Sequence, residues 1–237
     1  MKKVLLTGAT GFLGAYLLRE LLDHGYQVRA TRRENSSMHL VEAVEDQVEW
    51  VIADLLDLTS IEDAMKGVDL VCHAAAIVSF NPKDAERMIH ANGEGTANIV
   101  NTALSMGIEK MLHVSSIAAL GRKENQSKID ESGQWENSTH NSSYAISKFK
   151  AECEVWRGIE EGLDATIINP SMIMGPGFWH SGTAKMFVQV DKGLRLCPKG
   201  ANGFVDVRDV AKIARLLMES EISGERFIVN AENLSYK

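Results

Sequence analysis

No stretch of the 237-residue chain approaches the ~20 consecutive apolar residues needed to span a bilayer. Basic character is also lacking, because 25 Lys and Arg stand against 32 Asp and Glu for a formal charge of −7. A nucleic-acid binder would carry a basic domain or stripe, and none is visible. Any polyanionic ligand must therefore be held by local groups rather than by the net field. The three cysteines, Cys72, Cys153 and Cys197, are scattered and form no CxxC pair. Such a set reads as reduced core thiols, not as disulfides or a zinc site. The seven histidines show no HxxxH spacing, so no metal is expected. Internal repeats and low-complexity segments are missing as well. Gly8, Gly11 and Gly14 break the apolar run of the N-terminal MKKVLLTGATGFLG, and no small-residue cleavage site follows it. A signal peptide is thus not expected, and a cytoplasmic protein is.

The chain does contain ordinary globular material, with 45% hydrophobic and 24% charged residues. This excludes a disordered tail, a collagen-like repeat or a coiled coil. Near-continuous apolar runs recur at Lys3–Thr7, Gln27–Thr31, Val48–Ile52, Asp69–Cys72, Lys110–Val114 and Ala165–Ile168. Helical patterns run between them, over Phe12–His24, Asp84–Met106 and Ser142–Glu161. Buried strands joined by helices predict a doubly wound α/β fold with a parallel sheet covered on both faces. After Asn169-Pro170 the texture changes to a Gly- and Met-rich stretch with Pro176 and Pro198 and little periodicity. We expect a dinucleotide-binding domain over 1–169 and a small, incomplete substrate-binding lobe over 170–237. A helix over Asp209–Ser220 and a strand over Arg226–Asn230 are expected to pack back on the first domain. Leu234–Lys237 reads as the opening of another helix.

The first strand runs directly into Thr7-Gly8-Ala9-Thr10-Gly11-Phe12-Leu13-Gly14, and a helix follows. Glycines there allow a tight turn and close backbone approach to a pyrophosphate, and the helix start offers free N–H groups. The glycines fall three and three apart, which departs from GxGxxG, yet their place at the head of a βαβ unit points to a dinucleotide. At the end of the second strand stand Arg32, Arg33 and Glu34 where NAD-binding chains place a carboxylate. Guanidinium groups match a 2′-phosphate, so NADP is favoured, with NAD the alternative. The competing reading is a solvated strand end in which Glu34 neutralises one arginine.

Tyr144 and Lys148 lie at i and i+4 near the start of a predicted helix, on one face and one turn apart. A free tyrosine titrates near ~10, too high for a base at neutral pH. A lysine ammonium beside it would lower that value by ~1–3 units and make an acid/base pair. His113-Val114-Ser115-Ser116 ends a predicted core strand, at the sheet edge where such folds place ligands. A serine hydroxyl there could bond a substrate carbonyl or alcohol oxygen.

Glycine turn, strand-end serine and Tyr-x-x-x-Lys in that order resemble the extended short-chain dehydrogenase/reductase family, the NAD-dependent epimerase/dehydratase group, and nearly the whole chain takes part. The resemblance implies a Rossmann-type sheet and an NAD(P)-dependent oxidoreductase. It assigns Thr7, Gly8, Thr10, Gly11, Phe12, Leu13 and Gly14 to the cofactor loop. Asp54 matches the acidic residue that meets the adenine amino group, with Leu55 beside it. Ala74, Ala75 and Ala76 match the strand end by the ribose and pyrophosphate. Asn92 matches a helical asparagine that supports the active site. Ser116 looks like the catalytic serine, with Ser115 as the alternative register, and Tyr144 and Lys148 match the catalytic pair. In that reading Tyr144 donates the proton, Ser116 orients the oxygen, and Lys148 tunes the tyrosine and holds the nicotinamide ribose. Ser115, Tyr144, Lys148 and Pro170 join the cofactor contacts. Asn169-Pro170-Ser171, Gly175-Pro176-Gly177 and Phe204–Val210 resemble the family's later signatures.

The end of the second strand looks most like the dihydroflavonol-reductase-like branch, which uses NADPH. The family usually runs past 300 residues, so a truncated chain or an unusually short member is expected. Asn202 stands where the nucleotide-sugar branch places an arginine, and Ile117-Ala118 where the dehydratases place Asp-Glu. Ser79, Phe80, Met172, Met174, Phe178 and Trp179 are candidates for an apolar pocket, which suits a small-to-medium carbonyl or alcohol substrate. The rival functions are an NAD-dependent nucleotide-sugar epimerase and a dinucleotide-binding sensor without turnover. The two long helices could pair with those of a second subunit to make a homodimer.

Overall fold

Alternation within each core strand decides how the layers form. In β1 (Lys3–Thr7), Val4 and Leu6 point to one side and Leu5 to the other. Val4 and Leu6 pack with Leu17 and Leu18 of α1 (Phe12–Asp23) and Val210 and Ala214 of α6 (Val207–Glu219). Leu5 joins Ile61 of α2 (Leu58–Met65), Ile99 and Val100 of α3 (Ala85–Met106) and Val155 of α4 (Ser143–Glu160). Each such side chain stabilises the fold by roughly 1.5–3 kcal/mol relative to exposure. The computed structural model describes residues 1–121, 129–139, 141–179, 182–193 and 200–236. Cys197, Pro198 and Lys237 lie outside the described residues.

The main sheet adds β2 (Gln27–Arg32), β3 (Glu49–Ile52), β4 (Leu70–His73), β5 (Lys110–Val114), β6 (Ala165–Pro170) and β9 (Glu225–Val229). Its order is β3-β2-β1-β4-β5-β6-β9, and every pairing is parallel. This is the Rossmann-type arrangement. The chain winds outward in one direction from β1 and, after crossing over, in the other direction from β4. The switch point between them opens a crevice at the carboxyl ends of the strands. None of the helices among the described residues is long and apolar enough to cross a membrane.

Beyond Pro170 the chain makes β7 (Met172–Met174), α5 (Ala184–Asp191), β8 (Ala201–Asp206) and β10 (Glu232–Ser235). A second sheet has the order β10-β8-β7. Between its strands, α6 packs on α1 and β9 extends the main sheet, so residues 207–229 return to the first layer. The helix expected to open at Leu234 is instead part of β10. Glu232–Ser235 pair antiparallel with Phe204–Ala201, and the Tyr236 ring meets Phe204 edge-on at 6.3 Å. An unpaired β8 edge offered more to this polar segment than a helix start. The pieces β7 and α5 are too short to leave a period in the sequence, and so is α2, whose start is capped by Asp57 accepting from Thr59 N at 3.1 Å; β8 opens on the polar Ala201-Asn202-Gly203 rather than on an apolar run.

Candidate active site

The floor of the crevice is set by missing side chains. Gly8 has φ +75°, and a Cβ there would stand 2.8 Å from the Ala75 backbone. A Cβ on Gly14 would collide with the Gly8 carbonyl oxygen. Gly11 N closes the turn on Gly8 O at 3.0 Å. Thr7 Oγ1, fully buried, lies 2.7 Å from His73 Nδ1 and accepts from Ala75 N at 3.2 Å. These contacts hold the ends of β1 and β4 together. The start of α1 has no side-chain cap, so its first N–H groups remain available to an anion.

Above that floor lies a cleft of about 520 Å³. Gly8, Thr10, Gly11, Arg32, Arg33, Asp54, Leu55, Ala74, Ala75, Ala76 and Asn92 line it, so these expected positions are brought together. Thr7 and Gly14 support the floor from below. The Phe12 ring turns away, meeting Tyr16 edge-on at 5.9 Å and lying under Gly177, while Leu13 packs on the core. Asp54 Oδ1 accepts from Leu56 N at 2.9 Å. Leu55 sits against α3 at Gly95, where a Cβ would come within 2.8 Å of its own Cβ. Arg32 reaches only the Glu34 carbonyl oxygen at 3.4 Å, and among the described residues neither Arg32 nor Arg33 has a carboxylate partner. Glu34 therefore neutralises neither. Sequence reasoning missed Arg87, which lines the same cleft from the first turn of α3.

The second cluster stands at the carboxyl ends of β5 and β6. Ser142 accepts from Ala145 N at 3.1 Å, which starts α4 and puts Tyr144 in its first turn with Lys148 one turn later. Ser116 stands close enough to the Tyr144 hydroxyl to act on its phenol. Burial raises the Tyr144 phenol above its ordinary value, and Ser116 opposes this. The expectation that Lys148 lowers it needs correction. Lys148 Nζ is buried and donates to Val114 O at 2.9 Å, so its charge is directed at the end of β5. Burial pushes Lys148 itself down to about 8, against the pull of the Glu152 carboxylate.

Ser115 also departs from the expectation that it binds cofactor or substitutes for Ser116. Its Oγ is buried and donates to Glu152 Oε2 at 2.5 Å. Glu152, only 3% exposed, also accepts from Asn169 Nδ2 at 2.8 Å, Trp156 Nε1 at 3.3 Å and Arg226 Nη1 at 3.0 Å. Asn169 Nδ2 donates to Ser116 O at 3.0 Å too, tying the serine loop to this carboxylate. Pro170 follows at the buried end of β6. Glu152, Asn169 and Arg226 were not anticipated as partners, although Glu152 continues the Tyr144, Lys148 stripe by one more turn.

Asn92 does not touch the Tyr144 hydroxyl. It accepts from Ile77 N at 2.7 Å and donates to Ile77 O at 2.9 Å and Ser147 Oγ at 3.0 Å. Ser147 in turn donates to Tyr144 O at 2.8 Å, so Asn92 braces the backbone of both walls. Of the expected pocket residues, Phe80 is beside Tyr144, with ring centroids 5.9 Å apart, and is 80% exposed. Ser79 is taken by Asp84 at 2.7 Å, Phe178 packs near His39, and Trp179 is half exposed. Met172 and Met174 lie half-buried on β7. His73 and His113 stack at 5.3 Å, and burial holds His73 down at about 3 and His113 well below its usual range.

The chain has the shape and donors a dinucleotide requires: a cradle that a Cβ would fill and unneutralised guanidinium groups on the wall. It belongs to the NAD dependent epimerase/dehydratase family, whose model matches residues 4–230. It is thus an NAD(P)-binding, oxidoreductase-type enzyme of the extended short-chain dehydrogenase/reductases. It is 35% identical to "Sterol demethylase protein B" of Methylococcus capsulatus, over 97% of this chain and 70% of that protein. It is also 35% identical to a "Putative dihydroflavonol 4-reductase" of a Synechocystis species, over 97% of this chain and 68% of that one. Among solved structures, that of gox2253 superposes with a TM-score of 0.90 at 33% identity, covering 99% of this chain and 72% of the other.

Proposed function

We propose that the chain is an NADP(H)-dependent oxidoreductase that reduces a small-to-medium carbonyl compound, or oxidises the matching alcohol. The observation that carries this reading is that Ser116 and the Tyr144 phenol stand together at the carboxyl end of β5, with buried Lys148 one turn further along α4. The nicotinamide, when bound, supplies or accepts the hydride. Tyr144 holds the proton that a carbonyl oxygen needs, and burial raises its phenol further above neutral pH. Ser116 Oγ orients that oxygen beside the phenol. The Lys148 ammonium holds the nicotinamide ribose. Asn92 positions Tyr144 through Ser147. Arg32 and Arg33, without carboxylates, hold a 2′-phosphate and set the preference for NADP over NAD.

We further propose that residues 1–169 bind the dinucleotide and that 170–237 contribute to the substrate side, where Phe80 joins from the loop after β4. The relative named a dihydroflavonol reductase supports a carbonyl substrate. A cytoplasmic homodimer through the outer faces of α3 and α4 completes the reading. Buried Cys72, whose thiol is pushed up to about 12, suits a reducing compartment.

The test is a titration with NADPH and NADH, followed by ketones and aldehydes. Tighter NADPH binding and carbonyl-dependent NADPH oxidation are expected. Tighter NADH binding with interconversion of sugar nucleotides and no net redox would favour the epimerase reading, which the family also supports. Dinucleotide binding without turnover of either substrate class would favour a sensor.

A further inference from the structure

Most arginines among the described residues are neutralised by the chain's own carboxylates. Among the described residues Arg29 pairs with Glu49, Arg157 with Glu154 and Glu161, Arg208 with Asp206, Arg215 with Glu20 and Glu219, and Arg226 with Glu152. Arg19 is directed at the carbonyl oxygens of Ala15 and Leu40. Among the described residues Arg32, Arg33 and Arg87 have no carboxylate within ion-pair distance, and all three line the same cleft. In a chain of net charge −7, that concentration of unpaired positive charge is local.

Arg87 stands apart from the other two. Along the sheet the order is β2, β1, β4, so Arg32 and Arg33 flank the glycine turn on one side. The loop after β4 and the start of α3, which carries Arg87, flank it on the other. Ala91, one turn further along α3, lines the cleft on the same helix face. Glu86 and Asp84 stand in or next to the same turn, yet neither forms an ion pair with Arg87. The first turn of a helix is the positive end of its dipole, Lys83 four residues earlier adds a like charge, and the Asp84 carboxylate is turned to the Ser79 hydroxyl. An anion on the glycine turn would supply the missing counter-charge.

We propose that Arg87 is a third phosphate ligand of the cleft, gripping the dinucleotide's diphosphate from the α3 side while Arg32 and Arg33 take the 2′-phosphate. The assignment rests on the dinucleotide reading above, and it divides the three cations by which phosphate each one meets. A guanidinium–phosphate contact of this kind changes affinity by about tenfold.

Calorimetric titration of Arg87→Gln with NADPH and with NADH tests it, beside Arg32→Gln/Arg33→Gln and the remote Arg157→Gln. Arg87→Gln is expected to weaken both cofactors by about tenfold and to leave their ratio unchanged. The double variant weakens NADPH alone, and Arg157→Gln changes neither. Unchanged affinities for Arg87→Gln would overturn the proposal, and so would a loss confined to NADPH. If the unaltered chain prefers NADH, the 2′-phosphate reading fails, yet the effect of Arg87→Gln on NADH still decides the role of Arg87.

Discussion

The cofactor end and the catalytic end of the site are made of different material. Around Gly8, Gly14, Ala74 and Ala75, backbone presses on backbone, and the shape exists because side chains are missing. Around Ser116 and Tyr144 the structure is a chain of polar side chains that converges on one buried carboxylate, Glu152. The first end is limited by volume, since one added atom has nowhere to go. The second end is limited by charge and hydrogen bonding, since isosteric changes fit but leave partners unsatisfied. Binding is thus a matter of fit at one end, and chemistry a matter of electrostatics at the other.

The strongest way to break the contrast is Gly14→Val. Its side chain would be driven into the Gly8 carbonyl, so dinucleotide binding should vanish and the thermal unfolding midpoint should fall. Unchanged affinity in a titration would show that the turn is not limited by volume. Ser116→Ala adds no atoms, and it should leave the fold and cofactor affinity alone while slowing turnover about 10²-fold. Steady-state kinetics beside a cofactor titration separate the two effects.

This contrast also explains what the sequence could reveal. The glycine turn and the Tyr144, Lys148 pair are local patterns, readable within a dozen residues, as are the buried runs of β1, β4, β5 and β6. The polar network is not local. Glu152 meets Arg226 across 74 positions, and Arg226 also donates to the carbonyls of Glu131 and Gly133, so no spacing rule announces it. The same distance hid the loss of Ser115 to Glu152 and the true direction of Lys148. Arg87 was missed because a lone charge in a helical first turn looks like a solvated face until the cleft is drawn around it. Leu234 was misread because β10 owes its form to pairing with β8, not to its own residues.

Smaller effects sharpen the electrostatic end. Burial has moved Lys148 from 10.5 down to about 8, so its ammonium is present below that pH and lost as pH rises through it. The rate of carbonyl reduction should therefore decline with a midpoint near pH 8, and Lys148→Met should remove that limb from the pH–rate profile. The Glu152 carboxylate holds the Lys148 value up. Glu152→Gln should therefore shift the limb to lower pH, with a stability cost of about 1–3 kcal/mol from the stranded Arg226. A limb that stays in place would remove Glu152 from the electrostatics of the site.

The most direct measurement is Tyr144→Phe, assayed for carbonyl reduction and titrated with NADPH in parallel. Deleting one hydroxyl leaves the cradle and the arginines untouched. Turnover should fall by about 10²–10⁴-fold with NADPH affinity unchanged. Turnover that survives the substitution would contradict it, because Tyr144 would then not be the group that carries the proton.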